Sequence, residues 1–342
     1  MPGQLSNSTH HVTTAEITDD HSSANLAIVT AFSENHKLEA VAMLRSLIAV
    51  QFQGPIYIFL MKEVGKDNNN KWIDEFKEEI LKSPLMLRMI DFEIQSSALT
   101  IDTYCFKPTA MSVFLRHNGA LPHNEAAQVV MWSDASTRYL QNPSIWAKYM
   151  IQHNIDFVGR QAPWSIPQQT HRGTFDYFHF NPDEFNDHPA IAATHFLVNL
   201  QRDQIRQRVL DRWIDCGVLD CRTCMAPIGS SKKDPNGTAY KEGANEYVSH
   251  RQDQSVLTLL VTDYMKKQGA EANVKIVQGG EGGGKEGEAP YFCLRTRRFR
   301  GDIQSVADWN TTFAIPSHAC KTLKGTILNI SSNGTIAWIK EE

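Results

Sequence analysis

Short apolar runs alternate with segments of helical periodicity along the first part of the chain. The first run is Leu26–Phe32, and apolar residues three and four apart follow it over residues 38–48. The alternation continues with predicted strands at 56–60 and 89–94 and predicted helices at 67–81 and 105–117. This pattern predicts an α/β fold with a mostly parallel, Rossmann-like central sheet, flanked by helices and joined by right-handed crossovers.

The second part of the chain is less regular. The stretch AQVVMWSDAS, residues 127–136, predicts a buried strand that ends in an acidic turn. After it we expect helices at 144–152, 202–216 and 253–267 and a strand at 155–158, and residues 191–198 form a further apolar run. Residues 159–190 are rich in Pro, His and aromatics without a period and predict a loop, as do residues 228–246. The glycine-rich stretch 279–288 is low-complexity, and residues 290–342 predict short strands and turns.

The chain contains no convincing interdomain linker. We expect a disordered leader over residues 1–24, one domain over 25–315, and short C-terminal strands packed on that domain over 316–342. The leader is polar and lacks the apolar core of a signal peptide. The sequence has no apolar run of about 18 residues, so we expect no membrane-spanning helix.

Composition narrows the class of function. Of the 342 residues, 42% are hydrophobic and 21% charged, which is an ordinary globular balance. The net charge of −4 provides no overall basic field for a nucleic acid, so we expect no nucleic-acid partner. A dinucleotide-binding oxidoreductase is also disfavoured, because the end of the first strand and the turn after it read TAFSEN, where G-x-G-x-x-G would be expected.

Cysteines and glycosylation sequons bear on the compartment. Six cysteines are present, and Cys221 and Cys224 form a C-x-x-C without a second ligand pair for zinc. Disulfides and buried free thiols both remain open. Together with sequons at Asn7, Asn236, Asn310, Asn329 and Asn333, the even count favours the lumen of the secretory pathway, specifically the Golgi, if the chain is trimmed at its N-terminus. Otherwise we expect a cytoplasmic protein.

A carboxylate at the mouth of a strand is the main candidate for chemistry. Ligands of open α/β sheets bind at the carboxyl ends of the strands, where Asp134, Thr30 and Ala31 are expected. A hard cation that offsets a diphosphate prefers carboxylate oxygens on rigid backbone. The alternative is that Asp134 only caps a turn or the next helix.

Four stretches in order resemble the GT-A glycosyltransferases, in particular the glycogenin-like group. They are AIVTAFSENHKLEAVAMLRSL, CFKPTAMSVFL, VVMWSDAS and HRQDQSVLTLL, and they span most of residues 26–265. The chain is also similar to an uncharacterised set of eukaryotic GT-A-like proteins. The resemblance implies a hexosyltransferase that moves a sugar from a nucleotide-diphosphate sugar, a UDP-sugar first of all, to a hydroxyl of a glycan or glycoprotein.

The resemblance also implies a set of site residues. Asp134 and Asp253 would be catalytic, with Asp253 on the acceptor side as a base or positioning group. Mn²⁺ or Mg²⁺ would bind Asp134 with a histidine such as His250. The donor would contact Thr30, Ala31, Phe32, Lys107, Trp132, Ser133, Ser136, Arg138, Arg251 and Gln254.

One departure weakens the metal hypothesis, and each candidate residue has a structural alternative. Ser136 stands where the second acidic residue of the Asp-x-Asp motif belongs, and serine is a weak direct ligand. Asp253 can be an ordinary helix N-cap, and Lys107 a solvated lysine at a helix start. Trp164 and Phe180 can stack on a sugar or simply pack, and His195 is expected in the core. Ser136 therefore also favours a second hypothesis, a catalytically impaired GT-A-like protein that binds a glycan or a protein partner.

Overall fold

A seven-stranded sheet runs through the protein, with strand order β3-β2-β1-β4-β7-β6-β8 in this computed structural model. The structure describes residues 25–63, 71–80, 83–94, 103–139, 141–228, 230 and 250–277. It also describes the backbone of three further strands, at 294–296, 327–330 and 336–339.

Helices and strands alternate as the sequence predicts. The strands are β1 Leu26–Phe32, β2 Ile56–Glu63, β3 Leu87–Ile94, β4 Val129–Ser133, β5 Thr137–Tyr139, β6 Phe157–Ser165, β7 Pro189–Asn199, β8 Val274–Val277, β9 Leu294–Thr296, β10 Ile327–Ile330 and β11 Ile336–Ile339. The helices are α1 Lys37–Ala49, α2 Lys71–Ile80, α3 Phe106–Gly119, α4 Ser144–Gln152, α5 Arg172–Phe178, α6 Asp203–Ile205, α7 Arg212–Val218 and α8 Asp253–Gln268.

The sheet is mixed but mostly parallel. Strands β3, β2, β1 and β4 pair in parallel, β7 runs antiparallel to both β4 and β6, and β8 pairs in parallel with β6. Two small antiparallel pairs, β5 with β9 and β10 with β11, lie outside this sheet. The predicted α/β class with a mostly parallel central sheet is confirmed.

The apolar runs form strands because both faces of the sheet are covered. Along β1, Ala27 and Val29 face one hydrophobic cluster and Leu26 and Ile28 face the other. The first cluster includes side chains of α3, α7 and α8, and the second those of α1, α2 and α4. A strand buried on both faces shows a continuous apolar run instead of an alternating pattern.

The predicted loop at 159–190 is wrong over much of its length. Strand β6 extends to Ser165, helix α5 follows, and β7 begins at Pro189. Register shifts after Gly159 and Gln161 interrupt the two-residue alternation of β6, so its sequence does not read as a strand. Helix α5 has only seven residues, too few to show a helical period.

The helix predicted at 202–216 exists but is not uniform. It starts as the short α6, passes through a π-helical stretch at Arg206–Asp211, and ends as α7. A π-helical stretch inside a helix is uncommon and is frequently associated with functional sites. A second one, Cys221–Met225, contains the C-x-x-C motif.

Two disulfides connect the helices on one face of the sheet. Cys105, just before α3, pairs with Cys221, and Cys216 of α7 pairs with Cys224. The two cysteines of the C-x-x-C motif therefore bind different partners instead of a metal. This result decides between disulfides and free thiols for four of the six cysteines.

Several expectations lie outside the described residues. They concern the leader 1–24, the glycine-rich stretch 279–288, Cys293 and Cys320, and the sequons at Asn7, Asn236, Asn310 and Asn333. Among residues that the structure describes, no helix is both long and apolar enough to span a bilayer.

Candidate functional site

The ammonium of Lys107 lies between two carboxylates at the carboxyl end of the parallel strands. Its Nζ is 3.0 Å from Asp134 Oδ1 and 2.8 Å from Asp253 Oδ2. Nζ also donates a hydrogen bond to the carbonyl of Ala193, at 3.1 Å. Two ion pairs and one hydrogen bond therefore hold the ammonium in place. We call Lys107, Asp134, Asp253 and the Ala193 carbonyl the Lys107 centre.

Four elements that are distant in sequence build this centre. Lys107 lies in the first turn of α3, Asp134 directly follows β4, Asp253 begins α8, and Ala193 lies in β7. The backbone N–H of Asp134 donates to the carbonyl of Thr194 in β7, at 2.8 Å. The turn after β4 is therefore fixed to the neighbouring antiparallel strand.

The electrostatics of the centre keep Lys107 charged. Burial disfavours the ammonium, but the charges of Asp134 and Asp253 outweigh this effect and raise the pKa of Lys107 above its ordinary value. Only Asp134 reaches the surface appreciably: its side chain is 22% exposed, against 5% for Lys107 and 6% for Asp253. A ligand therefore meets the centre from the side of Asp134.

Aromatic rings surround the ammonium. The indole Nε1 of Trp132 donates to Asp134 Oδ1 at 2.8 Å, and the Trp132 ring centre lies 5.6 Å from Lys107 Nζ. The Tyr104 ring centre lies 5.5 Å from the same nitrogen. Both distances permit cation–π attraction, so the rings fix the position of the charge as well as excluding water.

Strained backbone leads into the centre on two sides. Tyr104, three residues before Lys107, has a φ of 57°, and Gln252, directly before Asp253, has a φ of 40°. Such values cost a residue other than glycine about 1–3 kcal/mol and are often found at functional sites. The rest of the fold therefore holds both turns in conformations that they would not adopt alone.

A disulfide and a buried histidine support these turns from behind. The Cys105–Cys221 disulfide joins the start of α3 to the second π-helical stretch. At the end of that stretch the Met225 carbonyl accepts a hydrogen bond from His250 Nε2, at 2.7 Å. His250 precedes Arg251 and the strained Gln252, so the support extends from α3 to α8.

Gln169 ties the turn before α8 to the end of β6. Its carbonyl accepts from the backbone N–H of Arg251 at 3.2 Å and also from the hydroxyl of Ser255. Its side-chain Oε1 accepts from Gln254 Nε2, at 3.2 Å. The guanidinium of Arg251 lies 4.9 Å from the ring centre of Trp164, so a cation and an indole are stacked beside this turn.

The residues predicted to end the first strand, Thr30, Ala31 and Phe32, do end β1. Thr30 and Ala31 belong to the last part of β1 and are buried. The Phe32 ring packs against Trp72 and Phe76, at centroid distances of 6.1 and 5.1 Å. Because its ring is part of the core beside α2, Phe32 is not placed to hold a nucleotide base with its side chain.

The residues around the acidic turn are mostly structural. Ser133 is buried and its hydroxyl faces Met43 of α1, with Oγ and Sδ 3.7 Å apart. Ser136 is 7% exposed, in a turn closed by the Thr137 N–H and the Asp134 carbonyl at 2.9 Å. Arg138 Nη1 donates to the carbonyls of Ala135 and Thr137, at 3.1 and 2.8 Å. Arg138 thus holds this turn from inside.

His250 is not placed as a metal ligand. Its ring is buried, Nε2 donates to Met225, and Nδ1 accepts from the backbone N–H of His171, at 3.0 Å. No lone pair remains for a cation. Burial lowers the pKa of His250 to about 4, so the ring is neutral at physiological pH. His250 therefore has a structural role behind the site.

The residues present do not fit a divalent cation held by the protein. Asp134 Oδ1 already accepts from Trp132 and contacts the Lys107 ammonium, and His250 is fully hydrogen-bonded. Among the residues that the structure describes, no group of three or more His, Cys, Asp or Glu side chains is arranged to hold a metal. The expected Asp134–His250 ligand pair is absent.

Phe180 and His195 both pack against other residues of the protein. Phe180 packs against Phe178 and Phe185, at 5.7 and 5.4 Å between ring centroids, and it therefore has a packing role. His195 is buried, as expected of a core residue, and burial lowers its pKa to about 3.

Sequence reasoning missed part of the site. Tyr104 and Gln169 carry no motif, and Ala193 contributes only a carbonyl, which every residue possesses. Trp213 supports Asp253 by donating its indole N–H to the Asp253 carbonyl, at 3.1 Å. Its burial was predictable from its helical context, but its partner depends on how α7 and α8 pack.

Comparisons with known proteins give partial likenesses. No protein-family model and no curated protein sequence matches this chain. Among solved structures, the chain is similar to a galactosyltransferase in complex with donor and acceptor sugar analogues, at 11% identity and a TM-score of 0.39. That match covers 73% of this chain and 72% of the other.

Two further similar structures are also glycosyltransferases. Mouse xyloside xylosyltransferase 1 matches at 12% identity and a TM-score of 0.35, covering 74% of this chain and 85% of the other. The Saccharomyces cerevisiae mannosyltransferase Ktr4p matches at 11% identity and a TM-score of 0.37, covering 70% and 66%. At scores this low the likeness carries no argument about activity, and the residues of the Lys107 centre must support any function.

Proposed function

We propose that this chain is a glycosyltransferase that moves a sugar from a nucleotide-diphosphate sugar, with UDP as the nucleotide, to a hydroxyl of a glycan or glycoprotein. The observation that carries the proposal is the meeting of Asp134 and Asp253 on the ammonium of Lys107. Three of the stretches that resemble GT-A glycosyltransferases contribute one side chain each to this single centre.

The position of the centre supports a sugar-nucleotide ligand. Asp134 lies where β4 ends beside β1, and ligands of open α/β sheets bind at this edge. Ionised carboxylates are acceptors only, so an exposed Asp134 oxygen suits the hydroxyl donors of a sugar or ribose. The ammonium of Lys107 reduces the repulsion that two carboxylates would exert on a diphosphate.

The remaining residues have distinct roles in this proposal. Asp253 is fixed by Lys107 and by α8, and it positions a hydroxyl of the donor or the acceptor. Arg251 carries a positive charge beside the partly exposed ring of Trp164 and is the candidate contact for the departing diphosphate. Both residues lie at the turn that Gln169 holds in place.

The disulfides support a location in the secretory pathway. Disulfides persist in oxidising compartments and are rare in the cytosol. Two disulfides among the described residues join α3, α7 and the second π-helical stretch near the site. We therefore place the protein in the lumen of the secretory pathway, where glycan and glycoprotein acceptors are also found.

A thermal-shift and calorimetry series with UDP, GDP and CMP tests the proposal. UDP at about 100 times its dissociation constant should stabilise the protein by about 2.7 kcal/mol. Asp134→Asn should reduce this stabilisation to below about 1 kcal/mol at the same UDP concentration, because it weakens UDP binding. Asp91→Asn is the matched control, since Asp91 is also an ion-paired aspartate, held by Lys62 of β2 and Lys77 of α2. If none of the three nucleotides stabilises the protein, the proposal is wrong.

A catalytically impaired binding module is the second candidate, and Ser136 favours it. Release of UDP from UDP-sugars, with and without a glycan acceptor, separates the two. Turnover that Asp134→Asn abolishes supports the transferase. Binding of nucleotide sugar with no release of UDP over a panel of acceptors supports the binding module.

A further inference from the structure

A fixed cation already occupies the space between the two carboxylates of the site. The Lys107 ammonium forms ion pairs with Asp134 and Asp253 and donates a hydrogen bond to the Ala193 carbonyl. A surface lysine can swing toward a phosphate, but this one is 5% exposed and enclosed by the rings of Trp132 and Tyr104. The position of its ammonium is therefore fixed by the surrounding residues.

A divalent cation would find few ligands beside that charge. Asp134 Oδ1 is used by Lys107 and Trp132, and both ring nitrogens of His250 are hydrogen-bonded. Ser136 offers a neutral hydroxyl in a buried turn. A metal bound to the second oxygen of Asp134 would have one carboxylate ligand and would lie close to the ammonium, which repels it.

We infer that Lys107 takes the place of the divalent cation, so that this site binds its nucleotide without Mn²⁺ or Mg²⁺. The inference rests on the proposed function, because it assumes that a nucleotide sugar is the ligand. The ammonium compensates the two carboxylates and lets an anionic diphosphate approach. Strained backbone at Tyr104 and Gln252 and the Cys105–Cys221 disulfide hold the ammonium and its partners in register.

Substitutions at Lys107 and at Ser136 should each change how the site responds to a divalent cation. Removal of the ammonium leaves two adjacent carboxylates, which repel a diphosphate but attract a divalent cation. The Lys107→Gln variant should therefore lose nucleotide affinity and recover part of it when metal is added. An additional carboxylate at position 136 should create a ligand pair with Asp134, so the Ser136→Asp variant should gain a metal response that the wild type lacks.

The test uses the full chain and two readouts. Calorimetry measures the dissociation constant of UDP in EDTA and in millimolar Mn²⁺. Electron paramagnetic resonance measures Mn²⁺ binding to the protein alone. For the wild type we expect a change in UDP affinity below about threefold on adding Mn²⁺ and no tightly bound Mn²⁺. For Lys107→Gln we expect about tenfold weaker UDP binding in EDTA, partly restored by Mn²⁺, which a merely structural role would not produce.

Ser136→Asp keeps the test decisive if Lys107→Gln does not fold. That variant changes a residue in a turn and leaves the ammonium in place, and Mn²⁺ should improve its UDP affinity about tenfold. If Mn²⁺ strengthens UDP binding to the wild type tenfold or more, the inference is wrong while the proposed function stands. If the wild type binds no nucleotide in either buffer, both fall together.

Discussion

Two buried charged side chains lie at different places on the sheet. Asp156, just before β6, accepts hydrogen bonds from Arg202 Nε at 2.8 Å and from Tyr264 Oη and the Asn273 N–H, both at 2.9 Å. We call this group the Asp156 junction. At the Lys107 centre, by contrast, one ammonium serves two carboxylates, and one of these is partly exposed.

The difference between the two groups shows what each is for. The Asp156 junction joins β6, α8 and β8 through donors that satisfy both oxygens, with ordinary backbone at each of its four residues. At the Lys107 centre, residues with strained backbone precede Lys107 and Asp253, and Asp134 is partly exposed at the carboxyl ends of the strands. A satisfied buried charge fixes a fold, whereas strain at an open charged site points to a function.

Removal of the disulfides should have the largest effect on stability, and it should affect the Lys107 centre more than the Asp156 junction. The Cys105–Cys221 disulfide closes a loop with a sequence separation of 116, against 8 for Cys216–Cys224. Replacing both cysteines of the first pair by serine should lower the free energy of unfolding by about 5 kcal/mol, against about 2.5 kcal/mol for the second pair. Urea unfolding without reductant measures both.

Hydrogen exchange on the first of these variants then sharpens the comparison. Amides at the start of α3 should exchange faster, while those around Tyr264 should change only with global stability. Equal destabilisation by the two pairs, or equal acceleration at both places, would contradict this account.

Matched aspartate-to-asparagine changes should have opposite effects at the two groups. Asp156→Asn should lower the free energy of unfolding by about 3 kcal/mol, because the buried carboxylate accepts three hydrogen bonds and the NH₂ group of asparagine would face at least one of their donors. Asp134→Asn should lower it by less than about 1 kcal/mol, since the side chain is partly exposed and Oδ1 can still accept from Trp132.

Nucleotide binding should show the reverse order. Asp134→Asn should weaken UDP binding by about 30-fold, which corresponds to about 2 kcal/mol for a hydrogen bond to a charged group. Asp156→Asn should leave the dissociation constant of the folded protein unchanged. Calorimetry at a temperature where both variants are folded measures this, and a binding defect in Asp156→Asn would break the distinction.

Acid should weaken the support behind the Lys107 centre. Burial lowers the pKa of His250 to about 4 from the ordinary 6.5, so the unfolded chain binds a proton that the folded protein excludes. The contribution of His250 to the free energy of unfolding is therefore fully present above pH 6.5 and is lost as the pH decreases toward 4. His250→Gln should remove about 2–3 kcal/mol of the loss between pH 7 and 4.5.

Glutamine is the suitable replacement because it can also donate to Met225 and accept from His171. Urea unfolding of both proteins at the two pH values gives the comparison. An identical pH dependence would mean that the His250 ring is not held neutral by burial.

The smallest effect concerns the strained turn. Gln252→Gly should raise the free energy of unfolding by about 1 kcal/mol, because glycine adopts the positive φ without strain. It should also weaken UDP binding a few fold, since a more flexible turn positions Asp253 less well. Asn154→Gly is the control: Asn154 has a φ of 52° after α4, where asparagine is already tolerated. Equal effects of the two changes would show that Gln252 is an ordinary turn residue.

Much of the fold was predictable from the first half of the chain. Strands β1, β2 and β4 are buried on both faces, so their apolar runs are continuous and clear, and helices α1 and α3 have ordinary lengths. The antiparallel part was harder. The register shifts of β6 and the seven residues of α5 erase the periods by which strands and helices are recognised.

The sequence by itself determined the α/β class, the strand-end position of Asp134, the helix start at Asp253 and the departure at Ser136. The first three follow from local patterns of apolar and polar residues, and the departure at Ser136 follows from the resemblance to GT-A glycosyltransferases. Only the tertiary structure decided that Lys107 joins the two aspartates. It also decided that both ring nitrogens of His250 form hydrogen bonds with the backbone, and which cysteines pair. The physical reason is that a buried charge chooses its partners by proximity after the sheet and helices have packed, and proximity across distant elements leaves no trace in local sequence.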